Sequence, residues 1–265
     1  MDASITLHNI SSGPYGRQEG YGVCCMHEMC LPPGLEQDEL ARFDDLILHK
    51  RSFRRGSHVF RAGAPLRSLF AVRAGSFKTT ILHDDGREQV TGFYMAGEIM
   101  GLDGISSDIH IVNAIALEDS ELCELPFDSL EQLVRDIPSL QRHFHRIMSS
   151  EIVRDHGMLL LLGAMSAEER IATFLLQLSK RYVARGYSAN SFTLRMSRGE
   201  IGSYLGLTIE TVSRVLTKLQ EEGFLSVQKR EICINDIPGL KKLIGQNDIS
   251  RSNVGTRPSL LHAVA

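Results

Sequence analysis

Length, composition and charge already exclude several classes of protein. The chain has 265 residues, about 1.8 times a typical domain of roughly 150, so two modest domains are expected. With 43% apolar and 23% charged residues it resembles soluble globular chains, and no run reaches the roughly 18 consecutive apolar residues of a membrane span. The formal charge of −3 excludes a uniformly basic nucleic-acid-binding coat, but a local DNA-binding surface stays open because such surfaces are local.

The N-terminal segment is polar and carries an unusual group of cysteines. Residues 1–20 lack the apolar core of a signal peptide, which predicts a mobile arm on a cytoplasmic protein. Three of the five cysteines, Cys24, Cys25 and Cys30, lie within seven residues. In a reducing compartment such a group favours metal or redox chemistry over a disulfide framework. Beyond it, apolar spacing predicts a helix from Glu36 to Leu48.

From about Ser52 to Leu125 the pattern changes to short β-type runs separated by glycines. The run from Phe77 to Leu82 is one example, and the Asp-Asp-Gly sequence at 84–86 predicts a tight turn directly after it. Several short strands at nearly regular spacing indicate a β-barrel or jelly roll.

A long helix is predicted after Pro138, a residue suited to the first helical turn. An upstream stripe of Leu140, Phe144 and Ile147 is expected to pack on the β-domain. Further along, positions spaced by 4, 3, 4 and 3 residues form the heptad seam of a two-stranded coiled coil, which predicts a homodimer. This seam consists of Met148, Ile152, Asp155, Leu159 and Leu162.

Asp155 is the one acidic residue in this seam. In a symmetric parallel dimer its two copies face each other, and like charges that are desolvated together are costly unless they are neutralised or splayed. Two interpretations stay open. Either the register is displaced and Asp155 points to solvent, or the dimer is marginal so that a signal decides whether it forms.

A helix-turn-helix pattern follows. Ser197 and Glu200 have the spacing of a capping box. The helix that they open ends at Gly206, Leu207 is expected to be buried in the turn, and Thr208 caps a second helix. The second helix has an apolar face of Val212, Val215, Leu216 and Leu219, and a polar face of Glu210, Ser213, Arg214 and Thr217.

A wing is predicted after the second helix. Residues 224–234 have the pattern of a strand, a turn with Lys229 and Arg230, and a second strand, and Cys233 in the second strand is expected in the core. Residues 186–192, before the first helix, are predicted to be a loop. Helix, tight turn, helix and two-stranded wing form a DNA-binding module whose second helix enters the major groove.

The chemistry of the polar face fits base recognition. Arginine donates two hydrogen bonds to guanine, and a carboxylate accepts from an exocyclic amine such as that of cytosine. Because a carboxylate is otherwise unwelcome near phosphates, Glu210 on this face suggests a specific base contact. Contacts to the DNA backbone are predicted for Ser197, Arg198, Thr208, Thr211, Lys218 and Lys229.

Residues 198–214, RGEIGSYLGLTIETVSR, resemble the FNR/CRP family of bacterial transcription regulators, in particular its oxygen-sensing FNR branch. The segments GFYMAGE at 92–98 and AEER at 167–170 also match, and the resemblance covers roughly residues 24–245. It implies an α+β fold with an N-terminal cyclic-nucleotide-binding-type β-roll (jelly roll), a long dimerisation helix and a C-terminal winged helix-turn-helix.

The resemblance also implies partners and roles for particular residues. Glu210, Ser213 and Arg214 match the positions that read the half-site TTGAT of a palindromic operator in double-stranded DNA. Asp155 matches the charged residue that keeps the oxygen-exposed form monomeric. By family analogy, exposed turns of the β-roll such as residues 84–87 contact RNA polymerase.

The family divides by ligand, and the sequence discriminates between the possibilities. Members that bind cyclic nucleotides follow Gly-Glu with an Arg-Ser/Thr pair that grips the phosphate. Here Gly97-Glu98 is present, but residues 108–114 contain no arginine to pair with a phosphate. The sequence therefore predicts that no cyclic nucleotide binds, and the Gly97-Glu98 turn is interpreted as inherited.

The oxygen-sensing branch instead implies a 4Fe–4S cluster, one per chain, which needs four thiolates. The family pattern is Cys-x2-Cys-x5-Cys and one distant cysteine. Cys24 and Cys30 have the x5 spacing, and Cys123 matches the distant ligand. The predicted ligands are Cys24, Cys25, Cys30 and Cys123.

The sequence departs from the family pattern at the first cysteine, whose place is taken by Tyr21. Cys25 is an extra cysteine, and adjacent residues of an extended segment point to opposite sides, so Cys24 and Cys25 share a cluster only on a tightly turned backbone. Three alternatives stay open: three thiolates completed by His27 or solvent, thiols that sense oxidants directly, or cysteines without a ligand.

The resulting hypothesis is an activator that pairs and binds DNA when oxygen is low and falls apart when oxygen attacks the cluster. The rival is a regulator of the same family without a cluster, controlled by its abundance or by thiol oxidation. An enzyme is not predicted, because no phosphate loop, nucleophile elbow or metalloprotease motif is present. The predicted division is a flexible arm (1–20), a sensor domain (21–137), the dimerisation helix (138–163), the winged-helix domain (164–245) and a flexible tail (246–265).

Overall fold

The computed structural model describes residues 35–47, 49–83 and 85–245. Within these ranges the chain forms a β-domain, a long helix and a C-terminal winged-helix domain, which confirms the predicted α+β class. The predictions that lie outside the described residues concern the arm (1–20), Tyr21, Cys24, Cys25, His27, Cys30, Asp84 and the tail (246–265).

Eight strands form the β-domain as two antiparallel four-stranded sheets. The strands are β1 His49–Phe53, β2 His58–Phe60, β3 Ser68–Ala74, β4 Ser76–Leu82, β5 Glu88–Met95, β6 Ile99–Met100, β7 Asn113–Ala116 and β8 Ser120–Pro126. One sheet has the order β1-β8-β3-β6 and the other β2-β7-β4-β5. Side chains of both sheets, among them Phe70, Phe77 and Leu122, form the core between them, so the predicted jelly-roll-like domain is confirmed.

A second core lies on the opposite face of the β1-β8-β3-β6 sheet. Because side chains alternate along a strand, the neighbours of the inner-core residues point to this face. Leu69, Cys123 and Leu125 meet there the helices α1 (Gln37–Leu46), α2 (Phe127–Asp136) and α3 (Pro138–Ala164). We call this cluster the Cys123 core.

The helix α3 has two unlike halves. It begins at Pro138, and Leu140 and Phe144 pack in the Cys123 core, as predicted for the upstream stripe. Further along, Ile152 is 57% exposed and Leu159 is 68% exposed. None of the helices in the described part of the chain is long and apolar enough to cross a membrane.

The C-terminal domain contains four helices and three strands around one apolar core. Its core includes Leu175, Leu205, Leu219 and Ile232, which are almost completely buried. The elements are α4 Ala167–Val183, β9 Ser191–Thr193, α5 Arg198–Leu205, α6 Ile209–Glu221, β10 Leu225–Gln228, β11 Glu231–Ile234 and α7 Ile237–Leu243.

The wing differs from the sequence prediction in two respects. It has three strands in the order β10-β11-β9, because residues 191–193 pair with β11 and are not part of a loop. Cys233 is exposed, so its predicted core position is wrong. The alternation of β11 explains this, since Ile232 and Ile234 on either side of Cys233 point inward and are buried.

The winged-helix domain is docked on the β-domain through a shared apolar cluster and through polar contacts. The carboxylate of Glu98 accepts hydrogen bonds from Arg181 Nε at 2.9 Å and from Arg185 Nη2 at 2.6 Å. Beside them, Val90 N donates to Ser203 Oγ at 2.9 Å, which holds α5 against β5. Burial alone would raise the pKa of Glu98, but the two guanidinium groups outweigh it and hold this pKa below its usual range. The Gly97-Glu98 turn, which the sequence analysis interpreted as inherited, therefore joins the two domains.

Candidate nucleic-acid interface

The first helix of the candidate interface, α5, is fixed by its cap. Ser197 Oγ accepts a hydrogen bond from Glu200 N at 3.2 Å, and Glu200 Oε2 accepts one from Ser197 N at 2.6 Å. This is the predicted capping box. The exposed Ser197 and Arg198 therefore lie at the positive end of the helix dipole, which suits contact with a phosphate.

The turn between α5 and α6 depends on two glycines. Gly206 ends α5 with φ of 64°, a left-handed conformation that glycine adopts without strain. A Cβ atom at Gly202 would lie 2.6 Å from the carbonyl oxygen of Leu207, so the turn closes tightly only over glycine. Leu207 is half-buried against the apolar core, which anchors the turn.

The second helix, α6, presents one face to the core and the other to solvent. Thr208 caps it by accepting a hydrogen bond from Thr211 N at 3.2 Å. The four residues predicted to face inward, Val212, Val215, Leu216 and Leu219, are all buried. Their burial fixes the rotation of α6, and the opposite face points outward for this reason.

The outward face of α6 carries polar groups that keep their hydrogen-bonding capacity. Glu210 and Arg214 are exposed, and neither has an ion pair among the residues that the structure describes. Ser213 Oγ accepts a hydrogen bond from Arg198 Nη1 at 3.1 Å, which links the start of α5 to this face. A carboxylate, a hydroxyl and a guanidinium are thus available to base edges along one helix.

The wing places further basic groups beside this face. Lys229 lies at the tip between β10 and β11 with φ of 57°, the conformation of a tight turn. A cleft of about 310 Å³ between wing and helices is lined by Ser197, Arg198, Lys229 and Arg230 among others. The structure therefore brings together three of the predicted backbone-contacting residues, from two elements that are about thirty positions apart in sequence.

Lys218, also predicted to contact the DNA backbone, has protein partners. Its Nζ lies 2.6 Å from Glu168 Oε1 and 3.9 Å from Glu222 Oε1. The hydrogen bond that Lys218 donates to Glu168 raises the pKa of Lys218 above its usual range. Among the predicted basic contacts, Lys218 is the one that has acidic partners in the described part of the chain.

The predicted metal site is represented in the described residues by Cys123 alone. Its side chain is buried on the outer face of the first sheet, within the Cys123 core. In β8 it is paired across the sheet with Lys50 and Ala71. The other predicted ligands lie outside the described residues, and in the described ranges no group of three or more His, Cys, Asp or Glu residues is arranged to hold a metal ion.

The predicted dimer seam lies on the surface of α3. Asp155 is exposed together with Ile152, Leu159 and Leu162, and Met148 is half-buried. A row of exposed apolar side chains on one helix is typical of a surface that another chain covers. In the single chain this arrangement is compatible with both interpretations of Asp155.

Comparisons with known proteins identify the family of this chain. The model for the cyclic nucleotide-binding domain matches residues 50–136, and that for the Crp-like helix-turn-helix domain matches residues 169–243. The chain is 46% identical over 229 residues to the transcriptional activator protein FnrA of Stutzerimonas stutzeri, covering 86% of this chain and 94% of that protein. The chain belongs to the FNR/CRP family of bacterial transcription regulators.

Other members of the FNR/CRP family support the same assignment, on its FNR branch. The chain is 45% identical over 237 residues to the anaerobic regulatory protein of Pasteurella multocida, covering 87% of each chain. Among solved structures, FixK2 from Bradyrhizobium japonicum is 32% identical, with a TM-score of 0.68, over 74% of this chain and 96% of that one. These relatives are transcription regulators with a helix-turn-helix domain, and α5, α6 and the wing are that domain here.

In this FNR/CRP family member, polar groups of the two segments compared with the nucleotide-binding members, around residue 98 and at 108–114, have partners within the chain. Asp103 Oδ2 accepts hydrogen bonds from the backbone N–H groups of Ile111, at 2.8 Å, and Val112, at 3.3 Å. Glu98 is engaged by Arg181 and Arg185. Sequence reasoning missed this second role, because no local pattern connects Glu98 with an arginine 83 residues further along. The absence of a cyclic nucleotide stays a prediction.

Proposed function

We propose that this protein is an FNR-type transcription regulator that binds TTGAT-like palindromic operators as a homodimer when oxygen is low. Its response would depend on an iron–sulfur cluster held by N-terminal cysteines. The observation that carries the proposal is the position of Cys123, whose side chain shares one core with α1 and with the first turns of α3. The printed names of the relatives, among them an anaerobic regulatory protein, support the link to low oxygen.

DNA recognition would be the work of α6. Its outward Glu210, Ser213 and Arg214 would contact base edges, while the cleft residues Ser197, Arg198 and Lys229 would contact phosphates. Thr208 and Thr211, at the start of α6, would also reach the DNA backbone. In a dimer two such helices meet successive major grooves about 34 Å apart, so a palindrome is the matching operator.

The cluster would be held by Cys24, Cys25, Cys30 and Cys123. Leu35 packs against the Cys123 core, and the five residues from Cys30 to Leu35 span at most about 18 Å. A reach of this length is compatible with Cys30 and Cys123 belonging to one donor set. When bound, such a cluster supplies thiolate-ligated iron that oxygen can oxidise.

The chain's own residues connect Cys123 to the dimer seam. Leu140 and Phe144 at the start of α3 lie in the Cys123 core, and α3 continues without interruption to Ile152 and Leu159. Holding or releasing the segment before α1 would change the packing around these first turns. A coupling of only a few kcal/mol is enough to shift a monomer–dimer equilibrium substantially.

One sequence feature favours the second candidate, a regulator of this family without a cluster. Tyr21 stands where the family pattern has its first cysteine, so the fourth ligand depends on Cys25. Such a protein would be controlled by its abundance or by direct oxidation of its thiols. It would still dimerise and bind the same operator, and therefore only the metal content and the response to air separate the two candidates.

The deciding experiment is iron analysis of the full-length protein purified under nitrogen, followed by operator binding before and after exposure to air. We expect about four irons per chain and a loss of binding to a palindromic TTGAT duplex in air. Serine substitutions at Cys24, Cys25, Cys30 and Cys123 should each lower the iron content. Cys233→Ser is the matched control, because this exposed thiol lies in the wing. A colourless protein that binds the operator equally well in air and under nitrogen contradicts the proposal and leaves the second candidate.

RNA polymerase is a further predicted partner. The turn between β4 and β5 is exposed at Asp85 and Arg87, and the Arg87 side chain donates to Asp85 Oδ2 at 2.8 Å. By family analogy we propose this turn as a contact with polymerase. Arg87→Ala should then lower transcription from an activated promoter while operator binding stays unchanged.

A further inference from the structure

Arg198, the first residue of α5, contacts a side chain on the outward face of α6. Its Nη1 donates a hydrogen bond at 3.1 Å to Ser213 Oγ, although the two residues are 15 positions apart. Arg198 is exposed and lines the cleft between the wing and the helices, whereas Ser213 is half-buried. The guanidinium group therefore lies beside the hydroxyl group that is proposed to contact a base edge.

This contact restricts the hydrogen bonds that the Ser213 hydroxyl can make. A serine hydroxyl has one O–H donor and two acceptor lone pairs, whereas an arginine side chain only donates. Arg198 occupies one lone pair, and among the described residues the hydroxyl has no second hydrogen-bond partner, so its proton stays available. A hydrogen bond from a charged donor also polarises the oxygen, which strengthens the hydroxyl as a donor.

The pattern of donors and acceptors in the major groove decides which base suits such a hydroxyl. A serine by itself pairs with either kind of group, so it discriminates poorly between bases. Beside the guanidinium group, the exocyclic amine of a cytosine would face two groups that both donate, whereas O4 of a thymine accepts. In the half-site TTGAT the guanine is the expected partner of Arg214, and the base oxygens that remain in the major groove are thymine O4 atoms.

We infer that Arg198 is a positioning residue for base recognition, which directs the Ser213 hydroxyl to donate to a thymine O4 and thereby to reject cytosine. A guanidinium group has five N–H donors, so those not used for Ser213 stay available to a phosphate of the DNA backbone. One side chain then links a backbone contact to the discrimination between two bases. The inference rests on the proposed function, because it takes Ser213 as a base-contacting residue.

The test uses full-length protein purified under nitrogen and palindromic TTGAT duplexes in which one thymine of each half-site is replaced by 5-methylcytosine paired with guanine. The replacement keeps the 5-methyl group and changes the O4 acceptor into an amine donor. The unaltered protein should bind at least one of these duplexes about fivefold or more weakly than the TTGAT duplex. Ser213→Ala identifies the position that depends on Ser213, because the loss should shrink there and persist elsewhere.

The decisive variant is Arg198→Met, which removes the guanidinium group and keeps an unbranched side chain. Loss of a phosphate contact should weaken binding to every duplex by a common factor. At the position identified by Ser213→Ala, the preference for thymine over 5-methylcytosine should in addition fall to less than about twofold. In a Ser213→Ala background, Arg198→Met should leave this preference unchanged, since it acts through Ser213.

Lys229→Gln is the matched control, because Lys229 lies at the wing tip and lines the same cleft. It should weaken binding to both duplexes by the same factor and leave the preference for thymine intact.

Two results would overturn the inference, and they differ in what they say about the proposed function. If Arg198→Met weakens binding to both duplexes equally while Ser213→Ala still lowers the preference, Arg198 contacts phosphate only and the proposed function stands. If Ser213→Ala leaves the preference unchanged at every position, Ser213 does not contact a base. The inference and that part of the proposed function are then both wrong.

Discussion

Four arginines of the winged-helix domain fall into two contrasting pairs. Arg181 and Arg185 lie on α4, are 25% and 9% exposed in their side chains, and both contact the Glu98 carboxylate. Arg198 and Arg214 lie at the start of α5 and on α6, are exposed, and have no acidic partner among the residues that the structure describes. This difference in exposure and in acidic partners shows that arginine has two roles in this domain. Partly buried, paired arginines hold the domain in place, whereas exposed arginines without an acidic partner are available to a polyanion.

The largest effect should come from removing the carboxylate that Arg181 and Arg185 share. Glu98→Gln leaves Arg185 nearly buried without a counter-charge, and breaking such a pair costs about 3 kcal/mol or more. The free energy of unfolding in urea should fall by about this amount. Limited proteolysis should then cut between the β-domain and the winged-helix domain. Glu131→Gln is the control, because its pair with Arg135 lies on the surface and is worth about 0.3–0.5 kcal/mol.

The same contact predicts a dependence on pH. The pKa of Glu98 is lower in the folded chain than its unfolded value, so its contribution is present above the unfolded pKa and is lost as the pH falls through the folded pKa. Docking of the domain should therefore weaken below about pH 4.5, the ordinary value for a glutamate. Glu98→Gln should remove this part of the acid response. An unchanged acid unfolding curve in the variant would show that other carboxylates dominate.

Removing an exposed arginine should affect DNA and leave the fold intact. Arg214→Ala is expected to weaken binding to the cognate operator by about 1–3 kcal/mol and to relax specificity at one base pair. The free energy of unfolding should stay within about 0.5 kcal/mol, because the side chain is exposed. Arg142→Ala, at an exposed position in the first half of α3, is the control. Competition assays with single-base operator variants measure the specificity, and equal losses on all sequences would assign Arg214 to the phosphate backbone instead.

The acidic residues Glu98 and Asp155 also differ in whether they have charged partners. Glu98 has two cationic partners, while Asp155 is exposed on the seam and has no ion pair among the described residues. If its two copies repel each other in the dimer, Asp155→Ala should tighten dimerisation at least about tenfold, or 1.4 kcal/mol, and give a dimer in air. Light scattering after size exclusion measures this. A variant that stays monomeric in air would favour the interpretation in which Asp155 points to solvent.

Contacts between neighbours in the sequence were predicted well, whereas contacts between distant residues were not. The capping box at Ser197, the turn at Gly206 and the buried face of α6 depend on neighbours within a few positions, and the structure confirms all three. The contact of Glu98 with Arg181 joins residues 83 positions apart and leaves no local signal. Likewise the third wing strand at 191–193 is too short to show a period and forms because β11 offers it an edge. Helix faces and caps could be predicted from the sequence, because they depend on residues a few positions apart. Contacts that arise from domain docking or from pairing at a sheet edge could not.

The smallest expected effect is on the salt dependence of DNA binding. It should differ between a lysine without an acidic partner and a lysine with one, as proposed for the arginines. Lys229 at the wing tip has no ion pair among the described residues, whereas Lys218 is engaged by Glu168 and Glu222. Lys229→Gln should weaken binding to all sequences equally and lower the slope of log K against log salt by about 0.9 for each protomer. Lys218→Gln should lower this slope less, since Lys218 must first leave Glu168 before it releases a counterion from DNA. Salt titrations of both variants on one operator test the pair. Equal slope changes would show that an ion pair within the folded chain does not decide which lysines contact phosphate.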